Sequence, residues 1–225
     1  MYVYTDEFSD FVGDGNHLPT LEDLNGGTDT LNAAAVTSNT TVKLGATATI
    51  DGQVISSVTG IENVYSGDGT DKLFGDKESN LLSGGRGNDK LYGGSGQDKL
   101  YGGKGKDVMI GGSGADTFAF SNKPVSRAKA DKADIIKDFQ QGTDVIDLSS
   151  IDASVELGGN DAFNFNGTTA FGRDSKGEIR YKQFDKDGTK KDFTMVYIDI
   201  DSDRGTEMSI KLKGLYTLTE DDFIL

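Results

Sequence analysis

From Ser66 to Ala119 the chain repeats itself every nine residues, six times without a gap. The units read SGDGTDKLF, GDKESNLLS, GGRGNDKLY, GGSGQDKLY, GGKGKDVMI and GGSGADTFA, and the shared rule is Gly-Gly-x-Gly-x-Asp-x-U-x, with U a large apolar residue. Position 8 is apolar every time: Leu73, Leu82, Leu91, Leu100, Met109 and Phe118. Glycine at positions 1, 2 and 4 lets the backbone turn and aim its carbonyls inward. The closing x-U-x triplet reads as a short strand with its centre facing a thin, dry core. One unit cannot close on itself. Two units make a coil with a strand on each side, so coils stack with a period of eighteen residues. A Gly/Asp-rich flexible linker is the competing interpretation of such composition, but a linker has no reason to place an apolar residue at the same position in all six units.

The coil period decides where charge accumulates. Asp71, Asp89 and Asp107 stack along one edge, and Asn80, Asp98 and Asp116 along the other. Carboxylates stacked at strand spacing, about 4.8 Å apart, repel unless a cation lies between them. Carbonyls at positions 2 and 4 face the same way as the carboxylate. They belong to Gly67 and Gly69, Gly85 and Gly87, Gly94 and Gly96, Gly103 and Gly105, and Gly112 and Gly114. The result is an all-oxygen shell of the kind Ca²⁺ takes. Zinc favours His or Cys, and the chain has one His and no Cys. Several Ca²⁺ ions are therefore expected. The second unit carries Asp76, Glu78 and Asn80 where the rule asks for Gly, Gly and Asp, so its site should be weak or absent. Upstream, Ser57 to Tyr65 fits the frame loosely, with Gly60 at position 4, Glu62 at position 6 and Val64 at position 8. The C-terminal coils are expected to bind and order best.

The predicted fold class is all-β: a parallel β-roll capped by an antiparallel, sandwich-like C-terminal segment. Three regions are expected: an N-terminal cap with irregular first strands over 1–56, the roll over 57–120 and a β cap over 121–225. Residues 1 to about 30 give no readable pattern. Between 31 and 65, TVKLG, ATATIDG and QVISSVTGIENVY read as short strands. After the roll, strands are expected at Ile135–Phe139, Val145–Leu148, Phe163–Phe165, Glu178–Phe184, Asp192–Ile200 and Glu207–Leu212, with turns at 174–177, 185–188 and 201–205. A loop from Ser121 to about Lys132 contains Pro124, and one short helical turn is expected near Thr219–Asp222. Phe74, Tyr92 and Tyr101, at position 9, should point off the roll as packing or ladder residues.

Net charge is −14 with no basic stripe, which argues against nucleic acid as a partner. No segment approaches the roughly 20 apolar residues of a membrane helix. The N-terminus MYVYTDEFSD is acidic and is no cleavable export signal. Zero Cys agrees with an extracellular bacterial protein that does without disulfides. Without cation the roll would be a stack of repelling carboxylates, and with it binding energy becomes folding energy. Asp199-Ile-Asp201-Ser-Asp203-Arg-Gly205-Thr-Glu207 has the look of part of an EF-hand loop, but lacks the bidentate Glu at position 12 and is flanked by strand residues. A hairpin turn is expected there, with a weak calcium site as the alternative. No local signature picks out a pair of catalytic carboxylates among the 37 acids, and neither G-x-S-x-G nor a phosphate loop occurs.

From about Thr28 onward the chain resembles the C-terminal domain of serralysin-type secreted metalloproteases, a module shared with other type I secreted RTX proteins. GGTDTLNAAAV, IENVYSGDGTDKLFG, the glycine repeats, GADTFAF, DIIKDFQQGTDVIDLS and LTEDDFIL carry the resemblance. It implies a calcium β-roll and an uncleaved C-terminal export signal, here Asp222-Phe223-Ile224-Leu225. It also implies Gly60 and Glu62 as ligands at the start of the roll and Asp134 as one after it. Asp134 lies eighteen residues past Asp116, across a loop that leaves the register open. The zinc motif of those proteases is missing: His17 is the lone His, so no three-ligand zinc site can be built and no protease activity is expected. The expected function is a non-catalytic module for calcium-dependent folding and type I secretion of an extracellular Gram-negative protein. Its expected partners are the export apparatus, through the C-terminal end, and a covalently linked passenger domain. The alternatives are a carbohydrate- or surface-binding accessory module of a polysaccharide-modifying enzyme, with polysaccharide as partner, and the tail of a larger protease or lipase.

Overall fold

A computed structural model describes residues 2–3, 20–22, 27–121, 132–153, 161–172, 177–186, 191–201 and 205–225. His17, Pro124 and most of the expected turns at 174–177, 185–188 and 201–205 fall outside them. The chain divides into two compact units, Met1–Thr117 and Phe118–Leu225. Among the described residues the only helical piece is a 3-10 turn at Glu220–Asp222, so the fold is all-β.

In the first unit the nonapeptides wind as parallel coils. One ladder runs Thr30–Asn32, Asn63–Tyr65, Leu81–Ser83 and Lys99–Tyr101, with Leu31, Val64, Leu82 and Leu100 in register. The opposite ladder runs Thr41–Lys43, Lys72–Phe74, Lys90–Ser95 and Val108–Ser113, with Val42, Leu73, Leu91 and Met109 in register. All eight of these apolar side chains are fully buried. The period-two alternation of a strand puts one residue of each triplet inside and its neighbours outside, which is why a single apolar position per unit suffices to define the core. A third, two-residue ladder joins Asp68–Gly69, Arg86–Gly87 and Lys104–Gly105 along a turn edge.

The segment upstream of the repeats completes the first coil. Thr30–Asn32 and Thr41–Lys43 supply its two strands without the nonapeptide rule. Between this coil and the repeats lies an antiparallel hairpin of Ala46–Ile50 and Gln53–Thr59. Its turn residues Asp51 and Gly52 both take positive φ, 48° and 75°. A two-residue hairpin of primed type requires that combination, and Asp-Gly supplies it readily.

The second unit is a conventional sheet. Glu178–Phe184, Phe193–Asp199 and Met208–Lys213 form an antiparallel meander, and Asp134–Ile136 pairs in parallel with the last of these. Ile136, Ile179, Val196, Ile198, Ile210 and Leu212 are fully buried there. Aromatic contacts add to the core: Phe139 meets Tyr216 edge-on at 5.6 Å, and Phe165 meets Phe223 at 5.4 Å. Val145–Asp147 pairs in parallel with Phe223–Ile224.

Candidate metal centre

The turns of the coils hold the acidic residues in two files. Each carboxylate uses one oxygen to cap the preceding coil. Asp89 Oδ1 accepts the Asp71 N–H at 2.8 Å, Asp107 Oδ1 the Asp89 N–H at 2.8 Å, and Asp71 Oδ1 the Thr40 N–H at 2.7 Å. On the other edge Asp98 Oδ1 accepts the Asn80 N–H at 2.8 Å and Asp116 Oδ1 the Asp98 N–H at 3.0 Å. All five carboxylates are at most 1% exposed. The second oxygens of Asp71, Asp89 and Asp98 are buried with no hydrogen-bond partner, and those of Asp107 and Asp116 are equally buried. Buried polar atoms normally find a partner, and a charged one left alone is expensive.

Backbone oxygens crowd the same space. Asp89 Oδ2 and the Gly102 carbonyl flank the point that a Cβ on Gly84 would occupy, and Asp98 Oδ2 and the Gly111 carbonyl do the same at Gly93. Carbonyls at positions 2 and 4 aim from one coil to the next. A Cβ on Gly85 would overlap the Gly67 oxygen, and Gly103, Gly112 and Gly94 meet Gly85, Gly94 and Asp76 in the same way. At position 4, Gly69 faces Gly87, Gly87 faces Gly105, Gly96 faces Gly114, and Glu78 faces Gly96. Gly87 illustrates the demand: its φ is +139°, and any side chain there would collide with the Gly69 carbonyl. Position-2 carbonyls also accept coil-to-coil hydrogen bonds: Gly67 from Arg86 N–H at 3.0 Å, Gly85 from Lys104 N–H at 2.8 Å and Asp76 from Ser95 N–H at 2.9 Å. A carbonyl has two lone pairs, so such a bond leaves room for a cation contact.

This donor set suits Ca²⁺: carboxylate and carbonyl oxygens line the space, and the second oxygens of Asp71, Asp89 and Asp98 have no hydrogen-bond partner there. The electrostatics agree. Burial pushes the Asp89 carboxyl up to about 7, Asp107 and Asp71 push the same way, and the Asp71 N–H opposes them. Burial likewise raises Asp98 to about 7, with Asp116 and Asp76 adding to it, and Asp107 to about 6. Asp71 is raised too, again mainly by burial. Protons and cations compete for these oxygens.

The start of the roll differs. Glu62 Oε2 accepts the Asp29 N–H at 2.8 Å, so Glu62 takes the capping role that Asp takes elsewhere. Gly60 precedes it at φ +68°. Asn80 breaks the pattern chemically: its Nδ2 donates to the Glu62 carbonyl at 3.3 Å and its Oδ1 accepts the Asp76 N–H at 2.8 Å. An amide has put its own donor where the other repeats carry a carboxylate. Asp134 belongs to the second unit, in register with Ile210, whereas the other candidate ligands all lie in the first.

Two features escape the repeat rule. The carbonyls of Ala33, Ala34 and Val36 surround Gly67, so an irregular segment supplies backbone oxygens to the first repeat. The position-1 carbonyls of Gly102 and Gly111 approach the carboxylates as well. Neither has a side-chain signal in the sequence.

No curated protein matches the chain. Among solved structures, the AlgE6R3 subunit of the Azotobacter vinelandii mannuronan C5-epimerase is similar at 28% identity and a TM-score of 0.48, over 69% of this chain and 77% of that one. The AlgE6R2 subunit of the same enzyme is similar at 20% identity and a TM-score of 0.44, over 93% of this chain and 92% of that one. The family model for the peptidase M10 serralysin C terminal matches residues 23–225. That match spans the repeats and the sheet that follows them, and the chain therefore belongs to the serralysin C-terminal family, a family of calcium-binding RTX β-rolls in secreted proteins.

Proposed function

We propose that this chain is a non-catalytic module that folds on calcium after export by a type I system, carrying a covalently linked passenger. The observation that carries this reading is the buried second oxygen of Asp71, Asp89 and Asp98, left without a hydrogen-bond partner. Asp71, Asp89 and Asp107 on one edge, and Asp98 with Asp116 on the other, would hold the ions together with carbonyls of the neighbouring coils. The ions supply charge neutralisation between coils. Extracellular modules bind Ca²⁺ at about 10⁻⁴–10⁻³ M, so the roll stays open in a low-calcium cytosol and closes outside.

The segment that the export apparatus would read is tied into the second unit. In the folded chain Phe223 is 8% exposed and pairs with Ile146, and Asp222 closes a capping box with Thr219. A receptor for these side chains must meet them before the second unit folds. The test is circular dichroism and amide exchange with and without EGTA. A calcium-dependent gain of β-structure in the roll is expected, and native exchange protection of the roll strands persisting in EGTA would sink the proposal.

A second reading has its own observation. Exposed Lys43, Lys72 and Lys90 share one face of the roll with Phe74 and Tyr92, whose rings stack at 4.6 Å. Clustered lysines beside aromatic rings, on a molecule of net charge −14, suit an acidic polysaccharide. Titrating a polyuronate against the calcium-loaded chain tests it. Binding lost in a Lys72→Glu/Lys90→Glu variant supports it, and no binding in either protein overturns it.

A further inference from the structure

The meander of the second unit brings three carboxylates together at the loop end of one hairpin. Phe193–Asp199 and Met208–Lys213 pair antiparallel up to Ile198 and Met208, and the Glu207 N–H closes the ladder on the Ile198 carbonyl at 3.0 Å. Asp199 ends the first strand, Asp201 follows two residues later, and Glu207 stands just before the second strand. One carboxylate oxygen from each lies within 4.8 Å of the others.

Two of the three are held firmly. Glu207 Oε2 accepts the Ile200 N–H at 3.0 Å, and Asp199 Oδ1 accepts the Asp201 N–H at 3.3 Å. Asp199 is fully buried, Glu207 is 8% exposed, and Asp199 Oδ2 has no hydrogen-bond partner. Glu178 lies opposite Asp199 in the neighbouring strand and adds negative charge at the same end of the sheet. Carboxylates this close repel strongly in a low-dielectric setting. Either a cation or a shared proton must relieve that repulsion. The spacing is that of a shared cation shell, and each pinned carboxylate keeps its orientation without the ion.

We propose that Asp199, Asp201 and Glu207 form a calcium site at the loop end of this hairpin, distinct from the sites of the nonapeptide coils. All the side-chain donors are hard oxygens, the class that selects Ca²⁺ over Zn²⁺. The ion would staple the facing ends of the two strands.

Calcium bound to the full chain is counted by equilibrium dialysis, and the backbone amides of Ile200 and Glu207 are followed by NMR during the titration. Asp201→Asn and Glu207→Gln are each expected to bind one ion fewer than wild type. Asp199→Asn risks misfolding because Asp199 is buried, so Asp201→Asn, at a half-buried position, is the deciding variant. In a roll variant, Asp89→Asn/Asp98→Asn, the Ile200 and Glu207 amides should still shift with calcium, which separates this site from failure of the roll. An unchanged ion count in both hairpin variants, or no calcium-dependent shift at these amides in wild type, overturns the proposal and leaves a proton shared by Asp199 and Glu207. The same shifts produced by Mg²⁺ at equal concentration overturn the assignment to calcium.

Discussion

The roll and the antiparallel meander are both β-structures, yet they are held together differently. A coil of the roll buries one large apolar side chain per nonapeptide, such as Leu91 or Leu100, and surrounds it with glycine and polar residues. The meander strand Phe193–Asp199 alone buries Thr194, Met195, Val196, Ile198 and Asp199. Apolar burial contributes about 25 cal/mol per Å², and each ordered glycine gives up more backbone entropy than any other residue. The meander can therefore fold on its side chains. The roll has its backbone ladders and, on the function proposed above, cations between its carboxylates.

The largest effect expected from this contrast is that of chelation. In EGTA, amides of Leu81–Ser83, Lys90–Tyr92 and Lys99–Tyr101 should lose hydrogen-exchange protection, while Tyr181 and Val196 keep theirs. Equal loss in both units would erase the distinction. Next comes Gly87→Ala. Its methyl meets the Gly69 carbonyl at a φ that L-residues avoid, so a loss above about 2 kcal/mol is expected, read as a higher calcium midpoint for folding. Gly142→Ala, with open space around its φ of +79°, serves as the control and should lose only the backbone term.

Core truncation sharpens the comparison further. Leu91→Ala and Ile198→Ala should each cost about 3 kcal/mol. The first should shift the calcium midpoint of the roll, and the second should lower thermal stability at fixed calcium with the roll midpoint unmoved. A pH effect of smaller size follows from the raised carboxyls. With Asp89 and Asp98 near 7 and Asp107 near 6 in the ion-free fold, the folded chain binds more protons than the unfolded chain between about pH 4 and 7. Stability of the calcium-free roll thus rises as pH falls through that window and is lost as pH climbs. Calcium affinity runs the other way and should strengthen from pH 6 to 7.5, as calorimetry in two buffers of different ionisation heat can measure. The smallest effect is expected from Asn80→Asp. It removes the donor to the Glu62 carbonyl and supplies a carboxylate, so the calcium-free roll should weaken slightly and the calcium-loaded one gain affinity.

Much of the roll was legible because its period is rigid. Position 8 is buried throughout, and the eighteen-residue stack that pairs Asp71 with Asp89 and Asp107 appears in the coil-to-coil hydrogen bonds. In the meander, alternation gave Glu178–Phe184 to the residue, whereas Asp192–Ile200 shortens to Phe193–Asp199 and Ile135–Phe139 becomes Asp134–Ile136. Phe139 leaves that strand to pack against Tyr216, a tertiary contact without local signal. Thr41–Lys43 was legible as a strand, but its pairing with Lys72–Phe74, like the strand Thr30–Asn32 and its pairing with Asn63–Tyr65, was hidden because these partners are reached across the inserted hairpin rather than at the repeat period.

By itself the sequence determined the coil period, the inward residue of each strand and the files of acid that call for a hard cation. These follow from nearest-neighbour geometry, since a residue eighteen positions away is always the one stacked above. Tertiary structure alone decided which carboxylate oxygens lack a donor and which carbonyls reach them. It also decided that Asp199, Asp201 and Glu207 converge. Convergence across a hairpin depends on strand register and burial, and neither is written in the spacing of three acids along the chain.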